Sequence, residues 1–189
     1  MKRFPLILIV LLLAGSYVYA QKNVGGWDPD KPEKPSKAEQ EEIDYSEAIQ
    51  AFKKKVTGIE KFFGDAYGYA LYPSVGKGAL IVGGAHGNGR VYVNDKIIGT
   101  SELIQASIGF QIGGEAFREI VFFKDKNALD IFKEGKLKFS GKVSAVAATA
   151  GVSVELAYND GVAVFTLTKG GLMADVSVGG QSFKFKAVQ

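Results

Sequence analysis

The chain has 189 residues, a formal net charge of +3, 24 glycines, 13 phenylalanines and no cysteine. The absence of cysteine excludes disulfides, thiolate nucleophiles and cysteine-ligated zinc, and the near-neutral balance gives no support for non-specific nucleic-acid binding. With only 5 prolines, so much glycine and phenylalanine fits a twisted, closely packed β structure better than disorder.

Residues 1–20 read as an export signal. Met1-Lys2-Arg3 is a basic start, residues 5–14 (PLILIVLLLA) are continuously apolar, and Val18 and Ala20 stand at the two positions a signal peptidase reads. The apolar run is well short of the ~20 residues a spanning helix needs, so cleavage after Ala20 is expected. Once Lys2 and Arg3 are removed, 21 basic residues face 20 acidic ones, a net +1. Leu13-Ala14-Gly15-Ser16 is similar to a bacterial lipoprotein box, with serine where the lipidated cysteine would stand. A serine takes no thioether lipid, so the expectation is an exported protein, periplasmic or secreted, without a lipid anchor.

Residues 21–36 (QKNVGGWDPDKPEKPS) hold three prolines, two glycines and mixed charge, the composition of a flexible or polyproline-like linker. Trp27, the chain's one tryptophan, falls within it. A membrane-interface role for Trp27 competes with packing against its own domain, and the second is preferred.

Ser36 followed by Glu39 makes a capping-box pattern. Beyond it Tyr45, Ile49, Phe52, Val56, Ile59 and Phe63 recur at alternating spacings of four and three, one apolar stripe on a helix. Acidic residues lie early and Lys53, Lys54, Lys55 and Lys61 late, both in favour of the helix dipole. Thr57-Gly58 divides the run into a helix or helix pair, with Thr57 placed to cap the second. The stripe is expected to pack on the following sheet. The competing reading makes it, with the lysine cluster, an interfacial helix on anionic lipid.

From residue 68 onward the pattern changes to strands. Residues 68–72 and 79–84 are expected strands joined around Pro73. Gly87-Asn88-Gly89 is a hairpin signal, with residues 90–94 returning as its partner. Asn94-Asp95-Lys96 turns again. Ile104, Ala106, Ile108, Phe110 and Ile112 alternate with small or polar residues, the period of a strand with one apolar face. Residues 118–124 form another strand, 126–133 a short helix, and alternating runs over 137–147 and 152–158 come next. Asn159-Asp160-Gly161 is a hairpin turn before strands at 162–168, 172–178 and 182–186. Strands at roughly ten-residue spacing with hairpin turns predict an α+β fold. Its parts are an N-terminal amphipathic helix or helix pair and a mainly antiparallel, strongly curved or barrel-like β-sheet with one short inserted helix.

Little of this carries chemistry. His86 is the single histidine, which argues against a histidine-ligated metal, and it is expected in a glycine loop. No serine sits in a Gly-x-Ser-x-Gly elbow. Residues 84–89 lie between strands and lack the Gly-Lys-Ser/Thr ending of a phosphate loop, so no nucleotide is expected. Glu102, Glu115 and Glu119 could supply a carboxylate pair, but surface carboxylates are common and nothing indicates a glycosidase cleft. No catalytic residue, metal or cofactor is expected.

Several of these pieces together resemble the SYLF domain, also called the Ysc84-type domain. They are Tyr72-Pro73-Ser74-Val75-Gly76-Lys77-Gly78, Val82-Gly83-Gly84 with Gly87-Asn88-Gly89, residues 107–114 (SIGFQIGG), and Lys169-Gly170-Gly171-Leu172 leading to Val176-Ser177-Val178-Gly179-Gly180. The motif order is kept across about three quarters of the chain. It departs from the pattern at an extra glycine after Lys169, at Met173 where an aromatic is usual, and at Asp175 where glycine is usual.

The resemblance implies a lipid-binding module spanning residues 37–189. Eukaryotic members bind phosphoinositides and some bind actin, targets an exported chain would not meet. What carries over is association with envelope lipid through an apolar surface or cavity and basic residues. Lys53, Lys54, Lys55, Lys61 and Lys77 are the candidate contacts, Lys77 being the family's motif lysine. The alternative is a structural or protein-interaction module of the envelope. Neither reading includes an enzyme, a nucleic acid or a nucleotide.

Overall fold

The computed structural model describes residues 34–76, 84–106, 116–137, 158–168, 171–172 and 180–188. The expected signal, nearly all of the linker, Lys77, the 107–114 motif and the strands expected within 138–157 and 173–178 lie outside these residues. The chain divides into two units, Met1–Ser36 and Lys37–Gln189, and the second holds every described helix and strand.

Two helices open this second unit, α1 (Lys37–Lys55) and α2 (Ile59–Asp65). Gly58 separates them in the left-handed region at φ 81°, a conformation glycine adopts at no steric cost. It is Gly58, not Thr57, that stands at the N-cap of α2, and no side chain caps it. The break also resets the helical phase. The buried stripe reads Tyr45, Ala48, Phe52 and Val56, then Ile59 and Phe62, while Ile49 and Phe63 pack at its margin.

The described strands form one antiparallel sheet. They are β1 (Gly68–Gly76), β2 (Gly84–Val93), β3 (Lys96–Ala106), β4 (Phe117–Phe123), β5 (Val162–Thr168), β6 (Gly171–Leu172) and β7 (Gln181–Ala187). Their order is β6-β5-β4-β1-β2-β3-β7. Helix α3 (Lys126–Lys133) follows β4, with Asp125 accepting a hydrogen bond from the Ala128 amide at 2.9 Å as its N-cap. The architecture is α+β, as predicted. Among the described residues the pairings run in an open order from β6 to β7 and do not close into a barrel.

Two predicted turns are not turns. β1 runs on through Pro73 to Gly76, its register shifting between Leu71 and Val75. Gly87-Asn88-Gly89 lies inside β2, paired to β1 on one side and β3 on the other. The glycines are needed there for room. A Cβ on Gly89 would come within 2.5 Å of the Tyr72 ring, and one on Gly87 within 2.7 Å of Val75. The β2–β3 hairpin turns at Asn94-Asp95, as expected, where φ values of 49° and 59° are those of a type I′ turn.

Both faces of the sheet are buried over their central strands. On one face α1 and α2 cover Tyr69, Leu71, Tyr92, Ile120, Phe122 and Phe165. The other face carries Ala70, Tyr72, Val91, Leu103, Val121 and Phe183, and α3 packs on it through Ala128, Leu129 and Phe132. This second face is concave. The Gln181 amide donates to Glu119 at 2.9 Å, yet β7 and β4 stand four strand intervals apart. On a flat sheet four intervals span ~19 Å, beyond the reach of two such side chains, so the sheet must curl toward them. Tyr72 O–H donating to Ser101 Oγ at 2.8 Å, from β1 to β3 across β2, shows the same curl over a shorter chord. Small residues in the middle strand permit that curvature.

Candidate functional site

Three places on this frame bring chemistry together. The first is the corner between α1 and α2. Lys53, Lys54 and Lys55 form the last turn of α1, Lys61 lies in α2, and all four are exposed. None makes an ion pair with another described residue. Their order in the chain follows the helix dipole, since cations stabilise a helix C-terminus. Lys53 also places its ammonium 5.2 Å from the centre of the Phe63 ring, so its stem lies on the protein and its charge faces outward.

The acidic half of α1 is used differently. Arg90 of β2 reaches Glu41 at 3.1 Å and Glu42 at 2.7 Å and stacks 4.2 Å from the centre of the Tyr45 ring. Arg118 of β4 faces Glu47 at 3.9 Å. The sheet therefore engages the acidic charge of the helix and leaves the basic end open. The apolar stripe is unavailable to lipid because it is the core between helix and sheet. Lys77, the fifth candidate, lies outside the described residues.

The second place is a groove of about 720 Å³ beside the first half of α1, floored by β2, β3 and β7. Asp44, Asn88, Thr100, Glu102, Lys184 and Lys186 contribute polar groups to it. On the same sheet face His86 Nε2 meets Glu102 Oε1 at 2.8 Å, and Lys184 approaches the other Glu102 oxygen at 3.5 Å. These contacts hold the Glu102 carboxyl below its usual range, the His86 hydrogen bond first among them. His86 is thus a half-buried strand residue, not a loop residue. Glu102 is committed to His86 and Lys184, and Glu119 points to the opposite face, so these two do not form a carboxylate pair.

The third place lies on the concave face. Glu119 of β4 is fully buried, and burial raises its carboxyl to about pH 7, against the lowering effect of the Gln181 hydrogen bond. Thr166 is its register partner on β5, and Gln105 that of Gln181 on the β3–β7 pair. All four residues are buried, so a polar belt crosses an otherwise apolar surface. Glu119 Oε1, Thr166 Oγ1 and Gln181 Oε1 make no hydrogen bond within it. Composition and motifs passed over this belt. The available signal was the period of β4, where Glu119 alternates in phase with Val121 and Phe123 and therefore faces the core.

Among the described residues no three His, Cys, Asp or Glu side chains gather as a metal site, and no helix is long and apolar enough to cross a membrane.

The described residues thus form a curled antiparallel sheet with a helix pair on one face and exposed charge at its corner. Residues 104–187 match the family model described as Ysc84, Las17-binding protein actin regulator, the family that the motifs at 107–114 and 169–180 resemble. A curated relative, Beta cell expansion factor A of Aeromonas veronii, is 28% identical over 123 residues, covering 64% of this chain and 46% of the relative. The chain spans about half the length of that relative.

Proposed function

We propose that this chain is an exported, non-enzymatic binding module that associates with anionic lipid surfaces through the α1–α2 corner. The observation that carries the reading is the separation of charge along α1. Its acidic half is engaged by Arg90 and Arg118, while Lys53, Lys54, Lys55 and Lys61 are exposed without an ion pair among the described residues. A juxtamembrane lysine contributes about 1 kcal/mol of attraction to an anionic leaflet, so four in one corner give a salt-sensitive association without inserted apolar surface. The family resemblance supports the same direction.

The test is co-flotation of the purified protein with neutral and with anionic vesicles at low and high salt. Flotation with anionic vesicles alone, lost in salt and reduced by about a hundredfold in affinity when Lys53, Lys54 and Lys55 become Glu, is the expected result. Flotation that ignores lipid charge would overturn the electrostatic reading.

A second reading rests on the groove over β2, β3 and β7, whose mixed charges suit a protein surface better than a leaflet. In that case the module binds an envelope protein there. Substitution of Glu102 and Lys184 would then abolish a specific pull-down, and vesicles would not be bound.

A further inference from the structure

The Glu119–Gln181 hydrogen bond is a chord across four strand intervals of the sheet. Through the backbone ladder β7 is tied only to β3 among the described strands, and β7 is an outer strand of that order. Across the concave face it is tied to β4 by Gln181 and packs through Phe183, which lies 6.0 Å from the Tyr72 ring and 5.1 Å from the Phe132 ring. Among the described residues β7 is thus held by the β3 ladder, by this chord and by the packing of Phe183, and it brings Glu119 its hydrogen-bond donor.

We propose that Glu119 is a pH-controlled clasp, its neutral carboxyl holding β7 against the concave face and its ionisation loosening that strand. Among the described residues an ionised Glu119 has the Gln181 amide and no opposite charge to compensate it. The described elements facing it offer Tyr72 and no other titratable or charged group. β3 presents Ser101 and Gln105, β5 Thr166, β7 Gln181 and Phe183, and α3 packs on this face with Ala128, Leu129 and Phe132. Tyr72 is itself committed to Ser101, and burial raises its phenol well above the ordinary range. A neutral acid accepts the Gln181 amide hydrogen at Oε2 at modest cost. A carboxylate in the same place accepts the Gln181 amide more strongly, yet it is a buried charge with no cation near it among the described residues, and release of β7 lets water reach it.

The direction of the pH effect comes from proton counting. An unperturbed glutamate releases its proton near 4.5, whereas Glu119 in the fold keeps it to about 7. Between these values the folded state binds more protons than the unfolded one, so stability falls as pH rises through the interval and the loss is complete above it. The pH-dependent factor should change about tenfold between pH 6 and pH 8, one unit either side of the folded value.

Hydrogen exchange of the β7 amides, corrected for intrinsic exchange and referred to the β1–β2 ladder, reads this directly on the full chain. In the native protein β7 protection should fall about tenfold from pH 6 to pH 8 while the reference ladder changes less. In Glu119→Gln, whose amide stays neutral and still accepts from Gln181, β7 protection should stay level. A level native profile, or an equal fall in the variant, overturns the clasp. If Glu119→Gln does not fold, the native chain still decides. The Glu119 carboxyl resonance, followed by carbon NMR, should titrate with the midpoint at which β7 loosens, and midpoints more than a unit apart overturn the proposal.

Discussion

The two faces of the sheet solve the same burial problem in opposite ways. The helix-covered face fills its space with large rings. Phe62 meets Phe122 and Phe165 at centroid distances of 5.5 and 4.9 Å, and Tyr69 stacks on Tyr92 at 4.7 Å. Its charges are kept to the rim, where Arg90 is satisfied by two carboxylates and a tyrosine ring. The concave face curls toward itself, so its middle strand narrows to Gly87 and Gly89 between Ala85 and Val91, with Val75 and Tyr72 filling the space over them. Curling also brings side chains from distant strands together, which is how Glu119 and Gln181 meet in the interior. A face covered by a helix pair can exclude polar groups to its edge, whereas a face that shares its cover between one short helix and its own curled sheet cannot do so as freely.

Substitutions that exchange these solutions test the difference. The largest effect is expected from Phe52→Ala, which empties a fully buried position between α1 and the sheet. Loss of such a ring costs about 3–5 kcal/mol, because the rigid sheet cannot collapse into the space. Chemical denaturation should show the midpoint falling with an unchanged slope. A cost below about 1 kcal/mol would mean that the helix-covered face is not the close-packed one.

The concave face should fail in the other direction, by crowding. Gly89→Ala places a Cβ against the Tyr72 ring and the Leu71 carbonyl, and overpacking of this kind costs about 1–3 kcal/mol. Thermal unfolding of the variant is the measurement. If Gly89→Ala is neutral, Tyr72 has room to move and the curvature does not depend on the glycine.

The sequence made the helix-covered face legible and the concave one much less so. Apolar residues at three- and four-residue spacing located α1 and α2, because a helix packed on a sheet must present one stripe. The periodicity did not show that Gly58 would restart the phase and bury Phe62 in place of Phe63. On the other side, Gly87-Asn88-Gly89 has the composition of a hairpin turn, and only the neighbouring strands reveal that the glycines make room for Tyr72 and Val75. The inward position of Glu119 could be read from its place between Phe117 and Val121. Its partner could not, because Gln181 lies 62 residues away and is brought close by curvature. Of the five candidate lysines, four came from one helical run and fall together, while the groove over β2, β3 and β7 draws residues from α1 and four strands and had no local pattern.

The rim of the helix-covered face gives a smaller effect. Arg90→Lys keeps the charge but loses the two-pronged contact to Glu41 and Glu42 and the flat stack on Tyr45. The partners are partly exposed, so the expected loss is about 1 kcal/mol and is reduced at high salt. A larger loss with no salt dependence would mean that Arg90 acts as a packing group and not as the charge that fastens the acidic half of α1.

The smallest effect on folding belongs to the open end of the same helix, where the change in binding should be greatest. Replacing Lys53, Lys54 and Lys55 together by Gln removes three exposed charges that make no ion pair with a described residue, and one exposed contact of Lys53 with the Phe63 ring, so Tm should move by less than about 3 °C. Some of that shift is the lost favourable interaction of lysines with the end of the helix dipole. Binding to anionic vesicles should nevertheless fall steeply, because each removed charge weakens attraction to the leaflet independently of the fold. The contrast separates two roles for the cluster. If Tm drops strongly and vesicle binding goes down with it, the lysines serve the helix and their exposure to solvent is incidental. If Tm holds and binding is unchanged, the basic corner is not the contact. Charge on α1 would then matter only where Arg90 and Arg118 use it, and the groove over β2, β3 and β7 would become the surface to substitute next.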